Sequence, residues 1–307
     1  MKKNTKKIIK LVIVSGILAL VTTKGYKLVK GEAIAKKLLT NHQVSSIHDE
    51  NIVAHRGFSG LEPDNTYESV EMALNSDCVD MIEIDVRMSN DGKIIIHHDS
   101  VINLGDLLIH IEDTDLDNVD ETLLKRRYPH SSIHNYIYDD SLFLLKRWFN
   151  KGEEDTSIIR FNRFLDWYTF TKPLIVDVKA NYINTYYMDE LYKLLIDHKD
   201  MIYIQSDNYF FIKSMLIRYP EFNYLYIVDS EEDIKHMDDE FYGFTVKQSI
   251  LPKINIDSEK KYFIWTINSS ARYLNLINNK KYRGNMYIIT DHPDYICALG
   301  EAKRLKQ

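Results

Sequence analysis

The chain's 307 residues exceed the usual length of one domain, yet a single barrel-sized domain can use them all. Hydrophobic residues make up 45% and charged residues 27%, with 11 Gly and 6 Pro, which excludes collagen-like and low-complexity chains. Residues 1–37 carry ten Lys and one Glu, leaving 29 basic and 44 acidic residues beyond them, so the body repels polyanions and nucleic acid is not an expected partner.

Lys2, Lys3, Lys6 and Lys7 precede the apolar run Leu11–Val21, which Ile8 and Ile9 extend backwards. A cationic stretch before a short apolar segment is the pattern of a secretory signal. The 16 residues from Ile8 to Thr23 fall short of the roughly 20 needed to span a bilayer comfortably, but Lys10 and Lys24 can snorkel to its interfaces. A small-x-small site at Ala33-Ile34-Ala35 keeps cleavage open as the alternative to a retained single-pass anchor. Both readings place the body outside the cytoplasm, in the cell membrane or secreted. Residues 1–37 thus read as signal or anchor with its basic flank, 38–50 as a linker and 51–307 as the body.

In the body, short β-rich runs recur at 51–55, 81–86, 93–97, 174–178, 201–205, 223–228, 242–246, 262–267 and 286–290. Helical patterns fall at 66–76, 187–198, 208–218, 231–238 and 293–304. Their alternation argues for a parallel sheet covered by helices, and the length matches the roughly 250 residues of a TIM-type (β/α)8 barrel. Strands 81–86 and 93–97 lie too close for a parallel crossover, so they form a hairpin turning at Asp91-Gly92. With that two-residue turn, Arg87 pairs with Ile96 and Asp85 with His98, while His97 faces away and is structural. The Glu83, Asp85 and His98 side chains then share one face.

Two acids on one face of the apolar strand MIEIDV are expensive to bury without a cation. A salt bridge to Lys or Arg is the plain account; a divalent cation is the better one, since hard cations prefer carboxylate oxygens. Asp177 and Lys179 repeat the anomaly in LIVDVK. Three acids, Arg56, Lys179 and two histidines at strand ends suit metal-assisted phosphoryl chemistry at the C-terminal end of a barrel. The two cysteines, Cys78 and Cys297, are too few for a disulfide framework or a paired-cysteine zinc site. No G-x-S-x-G stands at a strand–helix turn, so serine hydrolysis lacks support.

In their order, these residues resemble the glycerophosphodiester phosphodiesterases, among the barrel phosphodiesterases related to phosphatidylinositol-specific phospholipase C. His55-Arg56-Gly57 resembles the family's opening HRG, and Pro63-Asp64-Asn65-Thr66 its PENT with Asp for Glu. Glu83-Ile84-Asp85-Val86 and His98-Asp99 resemble the E-x-D-V and H-D elements, and Asp177-Val178-Lys179 resembles E-x-K, again with Asp for Glu. Gln205-Ser206 keeps part of Q-S-F, and Trp265-Thr266-Ile267-Asn268 and Ile289-Thr290-Asp291-His292-Pro293 resemble the closing W-T-V-N and I-T-D-x-P.

The resemblance implies metal-dependent hydrolysis of a small-molecule or lipid-derived phosphodiester to glycerol 3-phosphate and an alcohol. It implies His55 and His98 as the catalytic acid–base pair, and Glu83, Asp85 and Asp177 as ligands of one divalent cation, Ca²⁺ or Mg²⁺. Arg56 and Lys179 are implied as phosphate-binding groups, Trp265 as a wall of the substrate site, and Asn65 as a brace of the first loop. Phospholipase D-like activity on lysophospholipid or sphingomyelin is a second reading, and an inactive barrel serving as a cell-envelope binding module a third. Residues 100–170 depart from the family pattern as an insertion near the mouth. In it Asp113, Asp115 and Asp117 resemble the start of a calcium loop but read as a solvated acidic segment, since Asn118 stands where that loop needs Gly.

Overall fold

The computed structural model describes residues 51–103, 108–118, 125–127, 155–279, 282 and 285–304. The signal or anchor segment and the linker lie outside these residues, as does most of the 100–170 insertion. Among the described residues no helix is long and apolar enough to cross a membrane.

Eight parallel strands close on themselves: β1 (Asn51–Ala54), β2 (Met81–Met88), β9 (Leu174–Val178), β10 (Ile202–Ser206), β11 (Asn223–Val228), β12 (Gly243–Lys247), β13 (Lys261–Trp265) and β14 (Met286–Thr290). The circle is completed where Val53 and Ala54 of β1 meet Met81 and Ile82 of β2. Helices α1 (Tyr67–Leu74), α2 (Phe161–Trp167), α3 (Thr185–Leu195), α4 (Tyr209–Arg218), α5 (Ser270–Ile277) and α6 (Pro293–Arg304) accompany the strands. The expected (β/α)8 barrel is the fold observed.

Period-two alternation sorts each strand into two cores. Outward residues such as Ile52, Ile82, Ile84, Val176 and Ile204 join the large buried layer shared with the helices. Inward residues Val53, Met81, Ile175, Leu225, Phe263 and Ile289 fill the barrel itself. At the N-terminal pole, Phe263 stacks on Tyr287 at 4.3 Å and Tyr203 meets Tyr242 edge-on at 5.5 Å. The same parity brings Glu83, Asp85, Asp177, Gln205 and Trp265 to the C-terminal end.

The C-terminal part of β2 pairs with the antiparallel β3 (Ile94–Ile96), on which β8 (Ile159–Arg160) adds a further antiparallel strand, while β4 (Val101–Asn103) pairs with β5 (Leu108–His110) and β6 (Lys125–Arg127) with β7 (Asp155–Ser157). The hairpin exists, but its register differs by one from the expected pairing. Val86 faces Ile96 and Arg87 faces Ile95, so the backbone partner of Asp85 is His97, whose N–H donates to the Asp85 carbonyl at 3.0 Å. A two-residue Asp-Gly turn needs both residues in the left-handed region. Only Gly92 is there (φ 78°); Asp91 instead accepts from the Ser89 hydroxyl and the Asp117 N–H. The loop therefore takes three residues, closed by Gly92 N–H to Ser89 O (3.0 Å) and Ser89 N–H to Lys93 O (2.9 Å).

Helices α2 and α5 were not among the expected elements, and 231–238 shortens to a 3-10 turn, Glu232–His236. Its Asp233 is spent on the Ser230 N–H and hydroxyl, and Ile234 and Met237 alone make too narrow an apolar stripe for a packed helix. Of the acidic insertion, Ile111–Asp113 and Leu116–Asn118 form 3-10 turns. Asp117 pairs with Lys93 and Arg160 at 3.1 Å each, so this segment is held by cations of the hairpin and β8.

Cys78, just after α1, and Cys297, inside α6, form a buried disulfide across 219 residues. It joins the first βα unit to the last helix, beside the seam where the barrel closes.

Candidate active site

The first loop is built by the run from His55 to Thr66. Arg56 and Gly57 both take left-handed backbone angles, φ 56° and 77°. At Gly57 a side chain is excluded twice over, because a Cβ would lie 2.5 Å from Ser69 Oγ and 2.6 Å from the Ser69 carbonyl carbon. That turn aims the Arg56 N–H at Glu83 Oε2, 2.8 Å away. Thr66 caps α1, its hydroxyl accepting from Ser69 N while its own N–H donates to Ser69 Oγ. Asn65, also left-handed at φ 60°, clamps Asp85 from both ends, Nδ2 donating to Oδ2 at 2.8 Å and Oδ1 accepting from the Asp85 N–H at 3.0 Å. Asp64 receives Arg56 Nη1 at 3.1 Å.

Glu83, Asp85 and Asp177 are buried, and one oxygen from each lies within 4.8 Å of the others. Asp85 and Asp177 sit directly opposite in the β2–β9 register. Arg56 Nε approaches Asp85 Oδ2 at 3.0 Å, and Lys179 Nζ reaches both Asp85 Oδ1 (3.2 Å) and Asp177 Oδ2 (2.8 Å). Gln205 Nε2 donates to the same Asp177 oxygen at 3.1 Å and is itself held by the Thr245 hydroxyl at 2.7 Å. The other oxygen, Asp177 Oδ1, is buried without a hydrogen bond.

Electrostatically the three acids diverge. Burial pushes Asp85 up, but Arg56 and Lys179, helped by His98 and Asn65, outweigh it and hold the carboxyl well below its usual range. Burial and the charges of Asp85 and Asp177 push Glu83 well above its own, and burial likewise raises Asp177. When all are ionised, three carboxylates against two cations leave one negative charge over, and Asp177 Oδ1 is buried with no hydrogen bond. The set is all oxygen and so suits a single divalent cation, which Glu83, Asp85 and Asp177 would hold. The salt-bridge account and the cation account therefore share the same residues: Arg56 and Lys179 compensate two charges, and the third remains.

His55 ends β1, with its backbone N–H on Thr290 O. Its Nδ1 donates to Asp291 Oδ1 at 2.6 Å, and Asn268 Nδ2 fixes Asp291 Oδ2 at 2.6 Å. Asp291 is held far below its usual range because the charge and hydrogen bond of His55 outweigh its burial. His98 lies past the end of β3, its carbonyl tied to Arg87 Nε at 2.7 Å and its Nδ1 on Asp99 Oδ1 at 2.8 Å. It does not stand opposite Asp85 on the strand, yet it comes near enough to lower the pKa of Asp85. The buried His97 donates through Nδ1 to the Asp99 carbonyl. Trp265 is half-buried against the barrel interior, its ring 5.8 Å from Lys247 Nζ.

The residues expected from the sequence, His55, His98, Glu83, Asp85, Asp177, Arg56, Lys179 and Trp265, all gather at the C-terminal end of the barrel. The partnership of Asp291 and Asn268 with His55, and the Gln205–Thr245 brace behind Asp177, are not among those expectations. Both join strands far apart in the chain, so only closure of the barrel reveals them.

A closed barrel with paired acids, cations and histidines at its mouth defines a phosphodiesterase of the TIM-barrel class. The model of the glycerophosphoryl diester phosphodiesterase family matches residues 55–295, and the chain belongs to that family. YhdW of Bacillus subtilis (strain 168), provisionally named a glycerophosphodiester phosphodiesterase, is 24% identical over 83% of this chain and 99% of its own length. A structure from Silicibacter pomeroyi DSS-3, provisionally named a glycerophosphoryl diester phosphodiesterase, superposes with TM-score 0.64 at 12% identity, covering 83% of this chain and 95% of that one. An Oleispira antarctica phosphodiesterase, solved with the product sn-glycerol-3-phosphate, superposes with TM-score 0.58 at 21% identity, covering 81% and 96%.

Proposed function

We propose that the protein hydrolyses a glycerophosphodiester to sn-glycerol 3-phosphate and an alcohol, with His55 and His98 as the acid–base pair. The observation that carries this reading is the charge pattern at the mouth: Glu83, Asp85 and Asp177 opposed by Arg56 and Lys179, with a carboxylate-backed imidazole on either flank. With all three carboxylates ionised, as metal binding requires, these acids and bases sum to one negative charge. A divalent cation, Ca²⁺ or Mg²⁺, and a phosphodiester monoanion together bring that sum to zero. When bound, the cation supplies Lewis-acid polarisation of a phosphoryl oxygen. Arg56 and Lys179 then neutralise the remaining phosphate charge, for which a guanidinium fork and an ammonium are suited. One histidine takes the proton of the attacking oxygen as its bond to phosphorus forms. The other protonates the alcohol oxygen as its bond to phosphorus breaks. Trp265 walls the substrate site.

The body is proposed to work outside the cytoplasm, retained by the N-terminal apolar segment or released by its cleavage. The lysine-flanked run at 8–23 supports export, and the Cys78–Cys297 disulfide supports an oxidising compartment. The test is hydrolysis of glycerophosphocholine and of a polyglycerolphosphate, with and without chelator, scored by release of sn-glycerol 3-phosphate. Release of that product, lost on chelation and restored by Ca²⁺ or Mg²⁺, is expected. Release of free choline from lysophosphatidylcholine or sphingomyelin, with the phosphate left on the lipid and little turnover of glycerophosphocholine, points to the phospholipase D-like reading. No turnover of any diester points to an inactive binding module.

A further inference from the structure

Among the described residues, eight large apolar side chains are exposed, and four of them lie on the two neighbouring segments that follow β9 and β10. Tyr182 (63% exposed), Ile183 (51%) and Tyr186 (55%) lie in the β9–α3 loop and the first turn of α3, and Phe210 (65%) in the first turn of α4. Both segments follow the C-terminal ends of barrel strands, on the pole that carries the site. They are joined to each other: Asn208 Nδ2 donates to Ala180 O at 3.0 Å, and the buried rings of Tyr187 and Phe211 pack at 5.8 Å. Each buried ring is preceded in sequence by an exposed one, so the two helix starts present Tyr186 and Phe210 together. The hairpin tip supports the patch from behind, with Gly92 so close that a Cβ there would lie 2.6 Å from the Tyr186 ring. Contiguous apolar patches of this kind mark interaction sites, whereas single exposed apolar residues do not.

We infer that this rim docks on a lipid bilayer and turns the barrel mouth towards the headgroups. The inference rests on the anchored reading of the N-terminal segment. Residues 24–50 give 27 residues between the apolar run and β1. Fully extended they reach about 90 Å, roughly twice the diameter of about 45 Å expected for a body of this size. The tether joins the barrel at the opposite pole, and its length lets the mouth swing round to the same membrane. The body's acidic balance gives it no electrostatic hold on anionic headgroups, so contact must be made by apolar area. Tyr settles at the lipid–water boundary, and Phe and Ile beside it supply apolar area to bury there.

The test uses the full chain reconstituted into phosphatidylcholine vesicles. An environment-sensitive fluorophore is placed on Ile183→Cys or Phe210→Cys, and on Tyr242→Cys at the opposite pole. Both native cysteines are held in the disulfide, so without reductant only the introduced thiol is labelled. The rim probes are expected to shift to the blue and to be quenched severalfold more by brominated lipid than the Tyr242 probe, unchanged by high salt. A segment that inserts while the rim probes still report water overturns the docking alone. A blue shift without brominated-lipid quenching means that protein covers the face, and also overturns it. A chain that does not float with vesicles overturns both docking and tether. Its hydrolysis of a soluble diester, measured in the same preparation, keeps the proposed reaction separate from either result.

Discussion

Asp291 Oδ1 accepts a hydrogen bond from His55 Nδ1 at 2.6 Å, and Asn268 holds the other Asp291 oxygen at the same distance. The imidazole is therefore fixed as its Nδ1–H tautomer, leaving Nε2 as the nitrogen that exchanges protons. Asp291→Asn would invert this. Asn268 donates, so the new amide must turn its oxygen to Asn268 and its NH₂ to His55, which forces Nδ1 to accept and puts the proton on Nε2. The expected loss in kcat/KM is on the order of 10²–10⁴-fold with melting temperature little changed, as when a triad aspartate becomes asparagine. Because Asp291 lies far below the ordinary carboxylate range, it stays ionised at any working pH. The acid limb of the wild-type pH profile should therefore not belong to Asp291; pH–rate profiles of both proteins check this.

His55→Ala and His98→Ala are each expected to abolish turnover while the barrel stays folded. His55 is half-buried at a strand end and His98 lies beyond one, so neither is part of the apolar core. Circular dichroism and steady-state rates on the purified variants separate the two effects. A folded variant with near-normal rate removes that histidine from the acid–base pair.

The eight barrel strands were legible because β-rich runs bounded by turns are a local signal, and their inward parity followed from period two alone. The acids Glu83, Asp85 and Asp177 stood out for the same reason: charge inside an apolar strand is visible in six letters. Register was not legible at the hairpin, since it depended on whether Asp91 or only Gly92 took a positive φ, and that was decided by the Asp117 N–H from a later turn. Pairings between remote strands, His55 with Asp291 or Gln205 with Thr245, had no local signal at all. The Cys78–Cys297 bond belongs with them, since two cysteines 219 apart pair only once the barrel has closed.

That bond should matter for stability more than for chemistry. Closing a loop of 219 residues restricts the unfolded chain by about 5 kcal/mol on the chain-entropy estimate. For a domain of this size that corresponds to a fall of roughly 10 °C or more in melting temperature on reduction. Cys297→Ser, or wild type with reductant, is expected to melt earlier with kcat unchanged below the transition. Calorimetry with and without reductant measures it. An unchanged melting temperature would mean that packing of α6 on β1 alone secures the seam.

The sharpest expectation concerns Asp177. One of its oxygens is held by Lys179 and Gln205, and the other is buried with no hydrogen bond, placed with Glu83 and Asp85 to grip a cation from the neighbouring strand. If Asp177 is the third ligand, Asp177→Asn should raise the metal concentration for half-maximal activity by at least about tenfold, the loss seen even for outer-shell partners. Excess metal should then partly restore the rate, and Asp177→Glu should keep the requirement at or below the wild-type level. The pH dependence supplies a second readout. In the metal-free protein burial and its acidic neighbours push Glu83 well above its usual value, so the folded state holds a proton that the unfolded state has lost. The stability tied to that proton is present below the ordinary glutamate range and is lost as pH rises through the folded value. Metal requires the carboxylate, so binding expels the proton, and affinity should tighten as pH rises. Thermal unfolding across pH, with chelator and with Mg²⁺ or Ca²⁺, should show a downward slope only in the chelated protein. If Asp177→Asn leaves both the metal requirement and that slope unchanged, Asp177 is a partner of Lys179 alone, and the cation would have to rest on Glu83, Asp85 and water.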